Sequence, residues 1–144
     1  MIHESFHATL TLMVVEGKFI YNGSPDSSFA NVMNGYINYL ETNNNDQYEG
    51  AQHEILLELV SEITTALKNY GVQNGYNLPN NFYSDLSWGG LTHLKDSRGN
   101  IIINPLFVKA VPNANDRTRI INTIAAEVTN SNQGSLTPKG KSCD

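Results

Sequence analysis

With 144 residues, 9 basic against 14 acidic side chains and a formal net charge of −5, the chain has the size of one domain and can bury a single core. An acidic balance without any basic run excludes nucleic acid or an anionic membrane as a main partner. The lone Cys143 excludes an internal disulfide and a cysteine-built metal site, and the longest apolar run near the start, residues 10–15, is far too short to span a bilayer.

In chain order, the first periodic stretch is residues 2–15, where Ile2, Phe6, Leu10, Met13 and Val14 gather on one stripe at about 100° per residue, which predicts a helix. Its first turn carries His3-Glu4-Ser5-Phe6-His7. Histidines four apart share a helix face, so both imidazoles can reach one metal ion, and the neighbouring Glu4 carboxylate can accept a proton from a water that the metal has acidified. Two boundary histidines bonded to backbone carbonyls are the plainer alternative. No Ser, Thr, Asp or Asn precedes His3 to cap the helix, and an α-amino group at Met1 would oppose the positive end of its dipole. The domain is therefore expected to begin upstream of Met1.

Residues 17–28 are rich in turn formers, and a helix follows over about 28–40, with Phe29, Val32, Met33, Tyr36, Ile37 and Leu40 at helical spacing. After an Asn-rich loop at 41–46, residues 52–68 form a second strong helix. On its wheel His53 falls with Leu56, Leu57, Val60, Thr64 and Leu67, while Glu54, Glu58 and Glu62 line a solvated face. An inward imidazole on an aliphatic helix needs a polar partner, since leaving it unsatisfied costs about 1–3 kcal/mol. A metal shared with His3 and His7 would supply one. His53 is accordingly the candidate third ligand, with Glu54 as its substitute if the helix is rotated; a histidine bonded to a neighbouring carbonyl is the alternative.

Residues 71–80 read as loop, and Asn80 or Asn81 can cap a short helix to Trp88 that Gly89-Gly90 terminates. His93 then lies in what reads as a loop, where it is exposed or polarises a substrate carbonyl. Arg98-Gly99-Asn100 is a turn and 101–103 a short strand. Residues 113–116 precede a last amphipathic helix with Ile120, Ile121, Ile124, Ala125 and Val128. From 130 to 144 the Ser/Asn/Gly/Lys-rich chain is expected to be a disordered tail, leaving residues 1–129 as the domain. The fold class expected is mainly α, with little or no β-sheet.

His3-Glu4-x-x-His7 on one helix and His53 on the next long one resemble the zincin metallopeptidases. The metzincin pattern is absent, because Leu10 and Met13 stand where that group has a glycine and a third histidine. The chain looks closer to SprT-like zincins, whose third histidine lies on a later helix. His3-Glu4-Ser5-Phe6-His7-Ala8, Gln52-His53-Glu54 and Tyr83-x-x-Leu86-Ser87-Trp88-Gly89-Gly90-Leu91 together also resemble zincin-like domains at the C-terminal ends of bacterial polymorphic-toxin and Rhs-type proteins.

The resemblance implies a zincin-like helical core whose usual small sheet is lost or lies upstream, Zn²⁺ held by His3, His7 and His53, and Glu4 as catalytic base. Asp85 and Glu58 are candidates to orient a ligating imidazole. The implied activity is a zinc-dependent metalloendopeptidase acting as a toxin or effector domain, soluble, and secreted or delivered as the C-terminal part of a bacterial effector. Its implied partners are a protein or peptide substrate, upstream polypeptide and an immunity protein. Trp88 with its glycine pair reads more simply as an aromatic core plug. The rival classes are a non-catalytic helical interaction module and an inactive fragment of a larger toxin.

Overall fold

Apolar spacing of three and four residues at Phe29, Val32, Met33 and Ile37 gives one helix a continuous buried stripe, and in the computed structural model, which describes residues 29–43 and 52–139, all four are buried in helix α1, Phe29–Asn43. Helix α2, Gln52–Gln73, presents Leu56, Leu59, Val60 and Ile63 to the same core. The buried row of α2 is thus rotated from the one expected: Leu59 and Ile63 are inside, and Leu57 is 40% exposed. Glu58 and Glu62 are exposed, as a solvated acidic face requires.

Helix α3, Asn80–Leu86, starts after Pro79 with no side-chain cap, and the chain then turns through Ser87 and Trp88. Trp88 is buried, its ring 5.0 Å from that of Phe107 at 58°, so it serves as the aromatic plug of the core. Strands β1, His93–Lys95, and β2, Ile101–Ile103, pair antiparallel with Leu94 opposite Ile102. Asp96 closes their turn: its carboxylate accepts from the Arg98 and Asn100 amides, each at 2.8 Å, and from Asn100 Nδ2 at 3.0 Å, while Gly99 takes φ +82°. The outer edge of β1 is met by Asn31 of α1, whose side-chain amide donates to Lys95 O and accepts from Lys95 N. His93 is therefore an exposed strand residue where a loop was expected; pairing with 101–103 makes it so.

A helix not foreseen from the sequence, α4, Pro105–Ala110, begins at Asn104, which caps it with Pro at its first position. Asn104 is fully buried. Its Nδ2 donates to Leu91 O at 2.9 Å, and its Oδ1 accepts from Leu106 N at 3.0 Å and from Asn34 Nδ2 at 3.2 Å. One amide thus ties together α1, the segment after α3 and the start of α4. Helix α5, Ala114–Thr129, is capped by Asn113 and ends at Asn130 in the left-handed region. Arg117 folds back to donate to the Val111 and Pro112 carbonyls at 2.7 and 2.8 Å. Helix α2 packs on α1, α3 and α4, and α3 packs on α5, so the domain is mainly α with one small hairpin on its α1 side. Of the expected tail, residues 133–136 close a turn through a Gln133–Leu136 bridge, and Lys139 N donates to Glu127 Oε1.

Candidate functional site

His3, Glu4 and His7 lie outside the described residues. His53 and Glu54 occupy the first turn of α2 in the backbone, and their side chains are outside what is described. Among the described residues no group of three or more His, Cys, Asp or Glu side chains gathers as a metal site. His93, the remaining histidine, bonds its neighbour Thr92 Oγ1 through Nδ1 at 3.0 Å.

Asp85 was a candidate to orient a ligating imidazole, and the structure gives it another role. It is buried, and the Arg119 guanidinium of α5 grips it from the side, Nε to Oδ2 and Nη2 to Oδ1, both at 3.1 Å. Thr123 Oγ1 adds a bond to Oδ2 at 3.1 Å. Arg119 also bonds Asp116 through Nη1. The hydrogen bonds that Arg119 donates to Asp85, then the Asp85 charge and the bond to Asp116 with its charge, raise the Arg119 pKa against the opposing effect of burial. Two carboxylates thus share one guanidinium. Glu58, the other candidate, faces solvent.

This pair borders a cavity of about 420 Å³ between α2, α3 and α5. Leu57, Val60, Val111, Trp88 and Ile120 supply its apolar walls; Ser61, Thr64, Ser84, Asp85, Asp116 and Arg119 supply the polar ones. Thr64 Oγ1 donates within a short hydroxyl chain, bonding Val60 O and Ser87 Oγ at 2.8 and 2.9 Å, and Ser87 Oγ donates to Ser84 O at 2.7 Å. No imidazole among the described residues contacts these hydroxyls. The cavity's excess of carboxylate over guanidinium disfavours an anionic ligand and leaves room for neutral polar groups such as peptide amides. Sequence reasoning missed Arg119 and Thr123 because their partner lies more than thirty residues away in the chain.

No helix among the described residues is long and apolar enough to cross a membrane. No protein-family model, curated protein or solved structure matches the chain.

Proposed function

We propose that the chain is a zinc-dependent hydrolase, an endopeptidase of zincin type serving as a toxin or effector domain. The observation that carries this reading is His3-Glu4-x-x-His7 in one apolar-periodic stretch, with His53 in the first turn of α2. Three imidazoles form a ligand set of the softness that suits zinc, and they leave a fourth position for water. When bound, the metal supplies Lewis acidity toward that water and the substrate carbonyl. Glu4 takes the proton from the water as it attacks, and returns it to the leaving amine. The position of His53 one turn before Leu57, on the helix that walls the 420 Å³ cavity, supports a substrate path along α2. The cavity's hydroxyl and apolar walls beside the Asp85–Arg119–Asp116 charges are chemically suited to a peptide segment.

The test is metal analysis of the purified full chain beside a peptidase assay. One equivalent of zinc is expected, lost in His53→Ala; Glu4→Gln should keep the zinc and lower turnover roughly 10²–10⁴-fold. A parent chain that binds no zinc, or a Glu4→Gln variant as active as the parent, refutes the proposal. The second reading is a non-catalytic helical interaction module, favoured by the exposed Glu58 and Glu62 of α2 and by the three exposed isoleucines of β2. It predicts that Glu4→Gln changes nothing.

A further inference from the structure

On α3, away from the Asp85–Arg119 pair, a smaller pocket of about 220 Å³ is lined by Tyr70, Tyr76, Phe82 and Tyr83, with Leu67, Leu78 and Leu86. Among the described residues its one charged lining residue is Glu127, near the end of α5. The aromatic rings come from three elements: the end of α2, the connection after it, and α3. Tyr83 is held by its neighbours. Tyr83 Oη donates to Tyr76 O at 2.8 Å, and the Tyr83 ring stands edge-on to Phe82 at 5.9 Å. Gly71 makes room for it, since a Cβ there would collide with the Tyr83 ring, 2.7 Å from Cζ. Tyr70 is 44% exposed, so the pocket opens to solvent on that side.

Aromatic faces carry the negative part of the ring quadrupole and attract a cation, most strongly one whose own hydration is weak. Among the described residues no lysine or arginine lines the pocket. Glu127, whose Oε1 accepts from Lys139 N, brings a carboxylate charge to the pocket lining, and a quaternary ammonium is balanced by that charge without any hydrogen bond. The volume is that of one small headgroup and falls below the usual range of drug-sized sites. We infer that this pocket binds a methylated ammonium group, held by the faces of Tyr70, Tyr76 and Phe82 and balanced by Glu127. The site is independent of the proposed metal chemistry, and its failure would leave that proposal untouched.

The test uses the full chain titrated with choline chloride, followed by calorimetry and by amide chemical shifts. The control is 3,3-dimethylbutan-1-ol, which replaces the quaternary nitrogen by carbon and so keeps the shape without the charge. Choline should shift the Gly71, Tyr76 and Tyr83 amides and bind several-fold more tightly than the neutral isostere. Phe82→Leu, which keeps the apolar wall and removes a π-face, and the half-exposed Tyr70→Leu should each weaken choline roughly 2- to 30-fold while leaving the isostere nearly unchanged. Glu127→Gln should weaken choline alone. A trimethyllysine peptide forms a second arm: binding of the peptide at these same residues, with choline weak, identifies a peptide source for the group. Equal affinity for choline and its isostere, shifts elsewhere on the chain, or no binding in either arm overturns the inference.

Discussion

Replacing Asn104 by alanine removes three side-chain hydrogen bonds at a fully buried position, to Leu91 O, Leu106 N and Asn34 Nδ2. Loss of the cap on α4 costs about 1 kcal/mol. The Leu91 carbonyl, left without its donor in the interior, costs a further 1–3 kcal/mol or so. A total near ~3 kcal/mol is a large part of the 5–15 kcal/mol that holds a typical domain together. For a chain of this size it lowers Tm by about 10 °C. The assay is urea unfolding followed by fluorescence of the single Trp88, which is buried against Phe107 and so reports the same core. Asn104→Asp separates the two terms. It keeps an acceptor for the Leu106 amide and sets a second oxygen against Leu91 O, so it should be at least as damaging as alanine. An Asn104→Ala variant within about 0.5 kcal/mol of the parent, the range of ordinary surface changes, would refute the reasoning.

Arg119→Met strands the Asp85 carboxylate, whose side chain is only 4% exposed. Breaking a fully buried pair costs about 3–5 kcal/mol, but Arg119 is 41% exposed, so about 2 kcal/mol is expected after discounting for solvent. A double-mutant cycle with Asp85→Asn should recover part of it, and strict additivity of the two losses would contradict the pairing. The Asp96 pKa is lowered from its ordinary value, chiefly by the Asn100 side-chain bond and then the Asn100 amide, against an opposing desolvation, with the Arg98 and Gly99 amides adding less. Because its folded pKa is the lower one, the turn's contribution is fully present above the unfolded value and is lost as pH falls through the folded one. Carboxyl carbon shifts should place the midpoint low, and Asn100→Ala should move it back up; an unchanged midpoint in that variant would assign the shift elsewhere.

The long elements were legible because each carries its own period. Phe29, Val32, Met33 and Ile37 repeat at helical spacing whatever packs on them, and residues 52–68 carry a helical period of their own, though not the edge of it that is buried. Asn113 marked the start of α5 by local chemistry alone, its side chain accepting from Asn115 N. Helix α4 was missed although Asn104-Pro105 is a start signal, since six residues hold too little period to register. His93 was read as loop because its strand exists only through pairing with Ile103, a contact that local pattern does not encode. The wheel of α2 was off by part of a turn for a related reason: whether Leu57 or Leu59 is buried depends on where α1 and α4 lie against the helix.

The candidate site divides along the same line. The sequence by itself determined the mainly helical class, and it supplied the His3, Glu4 and His7 spacing on which the proposed chemistry rests and which lies outside the described residues. Tertiary structure decided what the other groups do. Asp85, a free carboxylate in the sequence, is claimed by Arg119 and Thr123 from α5, and Tyr70, Tyr76 and Phe82 become neighbours only when α2 and α3 pack. Local periodicity needs only the chain's own geometry, whereas pairing of charges and gathering of rings needs elements distant in sequence to be brought together by burial of the core.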